Sequence, residues 1–371
     1  MKVIFFGYSV GWGLTFHLTQ LSIALRKLGV DIYVISDGKE QVPGLHKLLV
    51  EVRIPIINIY NSDFGYKMDQ FLKNPNDIIF HCQGFRQVKF VAKLLKDVKK
   101  TTIVLTVNAY RHGEWYKRLY CWSVRLLYSK YITAWVFPSH FARRDFQFKS
   151  YIPNAYVIPL GIEQPNYDKN LTEEIRKKYN LNSEDKYFIY LAQFSKHKRH
   201  KFLVLSIAPL LRSRDNVKLL LFGSGKYMES IINLTKKYNI EDKVNFYGRI
   251  SRSEIPIILS LIKGRAINVV PSSTETFGHN IIEPLFYSIP TVSFDVGISE
   301  KVIEDFYNGF VLSQNASPHD FRTKVEYILD HLQEFSNSMY GQMLSWEEVA
   351  KRYILLYNML IDEKNKYGKD F

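Results

Sequence analysis

Short runs of β-branched and aromatic residues alternate with longer amphipathic segments from one end of this chain to the other, and that alternation constrains the fold more than any other feature. Strands of this kind, each followed by turn residues and a helical stretch, pair into parallel sheets with helices on both faces. In the first half, strands are expected at Val3–Gly7, Asp31–Ser36, Ile78–Cys82, Thr102–Val107, Ala134–Pro138 and Tyr156–Pro159. A polar, turn-rich stretch from Gly161 to Lys169, with Pro165 and Asn166 inside it, then breaks the series. A second series begins at Tyr187–Ala192 and continues through Val217–Phe222, Val244–Tyr247, Ala266–Val270 and Thr291–Phe294. At 371 residues the chain is too long for one ordinary hydrophobic core and suits two. The expected fold class is therefore α/β, with two Rossmann-like doubly wound domains, residues 1–163 and 170–345. Two such domains facing a central cleft would present the carboxyl ends of both sheets to it, where open α/β sheets bind ligands. No repeat of fixed short period and no low-complexity tract occurs, which argues against a solenoid.

Composition narrows the setting more than the fold. Cys82 and Cys121 are the only cysteines, far apart and outside any Cys-x-x-Cys spacing, so a reducing cytoplasm is expected and a disulfide framework or zinc site is not. Met1 to Ser9 reads as a short buried strand instead of an export signal, because Gly7, Gly11 and Gly13 break its apolar run. No stretch reaches the roughly 18 to 20 uninterrupted apolar residues that crossing a bilayer takes. The formal charge of +14 favours anionic partners, whether nucleic acid, anionic lipid headgroups or phosphorylated substrates. Charge alone does not choose among them.

The most informative stretch runs from Pro271 to Pro284, Pro-Ser-Ser-Thr-Glu-Thr-Phe-Gly-His-Asn-Ile-Ile-Glu-Pro, after a buried strand and into an amphipathic helix. Thr274 or Thr276 is expected to cap that helix, with the amides of Gly278, His279 and Asn280 aimed from its positive end at an anion. Glu275 stands just before the helix and Glu283 about two turns into it, on the order of 12 Å apart at 1.5 Å per residue. Glycosidase carboxylate pairs sit roughly 5 to 9.5 Å apart across one bond. This pair suits instead two hydroxyl-bearing groups at opposite ends of an extended ligand, with an anion between them. A sugar, a diphosphate and a ribose match that description. The plainer alternative makes Glu275 a helix cap and Glu283 a solvated helix residue.

In context the stretch resembles the Glu-x(7)-Glu signature of glycosyltransferase family four, whose members are retaining enzymes of the GT-B fold. It is followed, in the family's order, by Ile289-Pro-Thr-Val, by Asp295-Val-Gly297-Ile-Ser-Glu300 and by Asn308-Gly-Phe-Val-Leu. Further pieces keep that order along nearly the whole chain. Gly11-Trp-Gly13 and the helix after it look like the glycine-rich loop where backbone approaches the donor diphosphate. Asp77 to Gly84 and Val157 to Glu163 look like the family's His-bearing strand and its hinge strand. Leu220-Leu-Phe-Gly223-Ser-Gly225 and Val244-Asn-Phe-Tyr-Gly248-Arg249 match elements of the nucleotide half. Ser345 to Tyr353 looks like the helix that crosses back to the first domain, so residues 346–371 are expected as a C-terminal crossing helix.

The resemblance implies that Glu275 holds donor-sugar hydroxyls and Glu283 the ribose. The family's phosphate loop appears as Ala192-Gln193-Phe194-Ser-Lys-His-Lys198-Arg199, which keeps the lysine but replaces the arginine by Gln193. Lys196, Arg199 and Arg249 are the candidate substitutes for that lost cation. Where the family carries a histidine after the fourth strand this chain has Asn108, with His112 nearby either as its replacement or as a surface histidine. The candidate catalytic residues are thus Glu275, Lys198 and His112. The candidate donor-binding residues are Gly11, Gly13, Gln193, Lys198, Gly223, Gly225, Arg249, Phe277, Gly278, His279, Asn280 and Glu283. No Asp-x-Asp sequence occurs, so no metal and no cofactor is expected, and basic side chains with helix amides take the diphosphate charge.

The implied function is retaining transfer of a hexose from a nucleotide-diphosphate sugar, UDP-hexose or GDP-mannose, to a glycan or lipid-linked acceptor. A sugar-nucleotide epimerase of similar fold, and a catalytically inert subunit that binds sugar nucleotide, are the alternatives. A nicotinamide dehydrogenase is disfavoured, because neither Gly11-Trp-Gly13 nor Gly223-Ser-Gly225 extends to Gly-x-Gly-x-x-Gly. From Tyr110 to Tyr151 aromatics interleave with bases, among them Trp115, Lys117, Trp122, Arg125, Arg143 and Arg144. Such a pattern is that of a solvated helix with some core aromatics, or it serves stacked single strands or an anionic membrane surface. With the family resemblance, peripheral contact with the cytoplasmic face of a membrane is expected and a nucleic-acid partner is not.

Overall fold

The computed structural model describes residues 1–6, 12–36, 45–73, 77–94, 101–107, 122–123, 125–147, 151–162, 171–335 and 345–367. The chain divides into two compact units, Met1–Glu163 with Met343–Phe371, and Gln164–Gln342.

The first unit is built on seven parallel strands in the order β3-β2-β1-β4-β5-β6-β7. They are β1 (Lys2–Phe6), β2 (Asp31–Ser36), β3 (Ile56–Asn58), β4 (Ile78–Cys82), β5 (Thr102–Thr106), β6 (Ala134–Phe137) and β7 (Ala155–Val157). Val3 of β1 pairs with Ile32 on one side and Ile79 on the other. Every residue of β4 and β5 is buried, as befits central strands covered on both faces. Helices α1 (Trp12–Lys27), α2 (Leu45–Glu51), α3 (Phe64–Leu72), α4 (Phe85–Leu94) and α5 (His140–Gln147) provide that cover. The sequence pattern does not predict β3, because three residues after Pro55 are too few to show an alternation. That strand exists by pairing with β2, Val34 to Ile56 through Ser36 to Asn58.

The C-terminal helix, Trp346–Tyr367, belongs to this unit. Tyr357 hydroxyl meets His81 Nδ1 at 2.6 Å, His81 Nε2 meets Thr106 Oγ1 at 2.6 Å, and Thr106 Oγ1 meets Tyr353 hydroxyl at 3.1 Å. Burial, helped by the neighbouring His17, pushes the His81 pKa well below the usual histidine range. The ring is therefore neutral, with one donor and one acceptor nitrogen for its two hydroxyl partners.

The second unit holds six parallel strands in the order β10-β9-β8-β11-β12-β13. They are β8 (Lys186–Leu191), β9 (Val217–Phe222), β10 (Val244–Gly248), β11 (Ala266–Val270), β12 (Thr291–Phe294) and β13 (Gly309–Leu312). Helices α6 (Thr172–Lys178), α7 (His200–Ser213), α8 (Met228–Lys237), α9 (Glu254–Ile262), α10 (His279–Phe286), α11 (Ser299–Val302) and α12 (Pro318–Asp330) connect and flank them. The order reverses between β8 and β11, so the loops leaving those neighbouring strands diverge and open a crevice at their carboxyl ends. Among the described residues no helix is long and apolar enough to cross a membrane.

Candidate functional site

The two loops at that switch point are stitched together before either reaches a ligand. Ser273 donates to the His197 carbonyl through both its backbone N–H, at 2.9 Å, and its hydroxyl, at 3.2 Å. Tyr190, near the end of β8 and wholly buried, places its hydroxyl 3.0 Å from the Lys198 carbonyl and 2.6 Å from Ser272 Oγ. One phenol thus fixes the loop that carries Lys198 against the loop that carries Glu275.

Glu275 receives three donors, all on Oε1: the Lys198 ammonium at 2.5 Å, the Ser272 hydroxyl at 2.8 Å and the Asn280 side-chain amide at 3.1 Å. Its Oε2 has no hydrogen bond among the described residues. The side chain is 10% exposed. Burial alone pushes its carboxyl pKa up, but the Lys198 charge and the three hydrogen bonds outweigh burial and hold it below the usual glutamate range. The group is a carboxylate with one oxygen committed and one open.

Asn280 owes its position to a proline. Pro284 lies inside α10 and has no N–H for the Asn280 carbonyl four residues back. The buried Asn268 side chain of β11 supplies the missing donor at 2.8 Å and also reaches Thr291 Oγ1 of β12 at 3.2 Å. On the loop after β12, Gly297 sits at φ +59°, and a Cβ there would come within 2.2 Å of the Phe277 carbonyl oxygen and 3.1 Å of Glu275 Cβ. Only glycine permits that approach, and Ile298 N–H donates to the same carbonyl at 2.8 Å.

Neither Thr274 nor Thr276 caps α10. The N-cap is Gly278, in the left-handed region at φ +101°, and no side chain caps the helix. A cap must occupy the residue next to the first helical one, and both threonines end too early. Thr274 is buried with its hydroxyl unpartnered among the described residues. The Ile281 and Ile282 amides both donate to the Gly278 carbonyl, at 2.9 and 3.1 Å, which leaves the His279 and Asn280 amides at the positive end of the helix without an intrahelical acceptor.

Glu283 is not the solvated residue of the plainer reading. It is 13% exposed and pairs through Oε1 with Arg252 Nη2, while His279 Nδ1 faces the same oxygen at 3.5 Å. Oε2 again has no hydrogen bond among the described residues. Burial pushes its pKa up, and the Arg252 charge with His279 more than reverses that, so this carboxyl too stays below the usual range.

The remaining expected residues divide by role. Gly223 and Gly225 serve packing: a Cβ at either would lie 2.0 Å from the Ala192 carbonyl oxygen or 2.4 Å from that of Phe194. They let the loops after β8 and β9 touch. Phe277 is buried and meets the His279 ring edge-on at 5.0 Å. Gln193 and Arg249 are exposed at the ends of β8 and β10. Of the three candidate substitute cations, Arg199 has its guanidinium over the rings of Phe202 and Phe294, at 4.6 and 4.8 Å, whereas Lys196 and Arg249 are exposed. Gly13 lies in the first turn of α1 in the first unit, and Gly11, Asn108 and His112 lie outside the described residues. No cluster of metal-ligating side chains occurs among the described residues.

Sequence reasoning missed Tyr190, Ser272 and Arg252 as parts of this site, and also His200. That histidine is 3% exposed and stacked 4.0 Å from the Phe194 ring, with neither ring nitrogen partnered among the described residues. Burial, with the Lys198 and His197 charges, pushes its pKa down to about 3, so it is a neutral filler beneath the lysine loop.

Two Rossmann-like units in one chain are the architecture of the GT-B fold. The chain shares its fold with Anabaena Alr3699/HepE, solved in complex with UDP and glucose, at a TM-score of 0.72 and 15% identity over 99% of each chain. Residues 172–340, within the second unit, match the family profile of glycosyl transferases group 1. Over 210 residues it is 25% identical to the N-acetyl-alpha-D-glucosaminyl L-malate synthase of Bacillus anthracis, covering 55% of this chain and 54% of that protein. Over 154 residues it is 27% identical to the alpha-monoglucosyldiacylglycerol synthase of Streptococcus pneumoniae, covering 40% of this chain and 34% of that protein. The chain thus spans about half, or less, of the length of these curated relatives.

Proposed function

We propose that this chain is a retaining glycosyltransferase that moves a hexose from a nucleotide-diphosphate sugar to a glycan or lipid-linked acceptor without a metal ion. The observation that carries this reading is the pair of carboxylates, Glu275 before α10 and Glu283 within it, each held anionic through Oε1 with Oε2 left open. An open carboxylate oxygen accepts hydroxyls, so Glu275 takes the sugar and Glu283 the ribose. The amides at the start of α10, together with Lys198, take the diphosphate between them. The complexes of the Anabaena protein with UDP and with UDP-glucose support a nucleotide sugar as the ligand of this fold.

Breaking the bond between the anomeric carbon and the diphosphate leaves positive charge on the sugar and negative charge on the departing phosphate. Lys198 and the helix amides stabilise the phosphate, and the Glu275 carboxylate supports the sugar cation. The acceptor hydroxyl attacks from the face the diphosphate leaves and passes its proton to a donor phosphate oxygen. Configuration is retained and no protein nucleophile is needed. With Gln193 in place of an arginine, Lys196 or Arg249 supplies the second cation.

A panel of UDP- and GDP-sugars, monitored by nucleotide release with and without membrane extract, tests the proposal. Release matched to acceptor glycosylation and unaffected by EDTA is expected. Activity abolished by EDTA and restored by magnesium or manganese removes the metal-free mechanism. Interconversion of sugar nucleotides without release favours the epimerase, and donor binding without turnover favours the inert subunit.

We extend the proposal to a peripheral contact with an anionic membrane through the segment 110–151. Within its described part Tyr128 packs on the core of the first unit, while Trp122, Leu126 and Leu127 are 51%, 56% and 62% exposed. Each Lys or Arg near an anionic surface contributes about 1 kcal/mol, an attraction that salt screens. Flotation with anionic vesicles is expected to weaken as salt rises and to be lost in an Arg143→Glu/Arg144→Glu variant. Equal flotation of both proteins, or of neither, removes the contact.

A further inference from the structure

We propose that Arg252 is a positioning residue for the ribose of the ligand, acting through Glu283; the inference rests on the reading of the site given above. Arg252 reaches the carboxylate from a loop that is anchored independently of it. That loop joins β10 to α9, and Glu254 at its end is held from the side of α6. Lys178 Nζ meets Glu254 Oε1 at 2.5 Å, and the Tyr179 hydroxyl donates to Oε2 at 3.1 Å. The same Oε2 accepts the Ser251 backbone N–H at 3.1 Å, and the Ser251 and Ser253 hydroxyls lie 2.7 Å apart. The residues on both sides of Arg252 are thus tied down, and its guanidinium is delivered to Glu283 by a braced loop.

Where it lands decides what Glu283 can do. Arg252 Nη2 and His279 Nδ1 both face Oε1, so Oε2 is the oxygen left for a ligand. A glutamate side chain rotates freely about its last bond unless something holds one oxygen. His279, at 3.5 Å, is too distant to make a strong hydrogen bond by itself. Without the guanidinium, a carboxyl 13% exposed turns away or takes a proton, because burial favours the neutral acid. In either state it accepts less well from a vicinal pair of hydroxyls. A plain structural clamp between the loop and α10 would instead weaken every nucleotide equally, whatever its sugar.

Calorimetric titration of UDP, GDP and ADP, each beside its 2′,3′-dideoxy counterpart, separates the two on the full chain. In wild type the best-bound ribonucleotide is expected to lose about tenfold to hundredfold in affinity when both hydroxyls are removed, the range of a hydrogen bond to a charged group. In Arg252→Gln that ratio falls close to one, with the dideoxy nucleotide bound as in wild type. In Arg252→Lys the ratio is intermediate, because an ammonium lacks the planar fork of a guanidinium. A ratio unchanged in Arg252→Gln overturns the positioning role and leaves the donor site standing. Should Arg252→Gln fail to fold by circular dichroism, Arg252→Lys decides, and a ratio equal to wild type there overturns the role. A wild-type ratio near one, or no nucleotide binding by wild type, overturns the donor-site reading along with it.

Discussion

Each unit gathers a buried polar cluster near the carboxyl ends of its central strands, and the two clusters are finished differently. In the first unit His81, Thr106, Tyr353 and Tyr357 are neutral, and both nitrogens of His81 are engaged at 2.6 Å. In the second, Glu275 and Glu283 are charged, and each has one oxygen engaged and one open. A closed neutral cluster lowers the cost of burying polar atoms and fastens a helix to a sheet. An open charged one keeps part of its bonding capacity for something outside the chain. The difference leaves the second cluster with bonding capacity to spare, while the first works as a fastening.

The steepest way to break this contrast is Glu275→Ala. Loss of an interaction made chiefly with the reacting sugar lowers kcat and kcat/KM together, by about a hundredfold for a charged hydrogen bond near 3 kcal/mol. Circular dichroism and melting must show the variant folded. Near-normal turnover by the folded protein would return Glu275 to a purely structural part. Glu283→Ala should act on binding instead, raising the donor KM about tenfold with a smaller change in kcat. If kcat falls as steeply as in Glu275→Ala, the division between sugar and ribose is wrong.

A test of the closed cluster has the opposite signature. Tyr357→Phe strands one nitrogen of His81 in the core and is expected to cost about 1 to 3 kcal/mol of stability by urea unfolding. Nucleotide affinity stays unchanged. An effect on affinity without one on stability would reverse the roles assigned to the two clusters. The smallest expected effect concerns pH. Both glutamates have folded pKa values below the ordinary range, so their ion pairs are fully present above that range and are lost only as pH falls through the depressed values. Affinity for a nucleotide-diphosphate sugar, whose diphosphate lacks the terminal ionisation of a free phosphate at about pH 6, should therefore not decline between about pH 7 and about pH 5, above the usual glutamate value. A decline over that interval, measured by calorimetry, would show that one carboxylate is not held as described.

Much of the second cluster was legible along the chain. Glu275, Gly278, His279, Asn280 and Glu283 fall in one continuous stretch, and a strand followed by a glycine and an amphipathic helix announces an anion site from local pattern. Lys198 was reachable through the resemblance of its loop. Arg252 was not, because nothing local distinguishes it from a surface arginine and its partner lies 31 residues away. Tyr190 and Asn268 read as ordinary strand residues, and only the packed sheet shows that one bonds Ser272 and the other replaces the N–H that Pro284 lacks. The two threonines misled for the reverse reason: cap-forming residues were present, but the chain turns at Gly278.

Taken alone, the sequence determined the two α/β series and the chain positions of the two glutamates. These depend on side-chain periodicity and backbone preference, which act between near neighbours. Tertiary structure alone decided the charge state of each glutamate and which of its oxygens remains open. Those properties come from cations and hydroxyls that reach Glu275 and Glu283 from separate loops and, in a buried setting, offset the cost of removing the carboxylates from water. No local pattern encodes that meeting, because it exists only once the sheet has brought the ends of β8, β10 and β11 together.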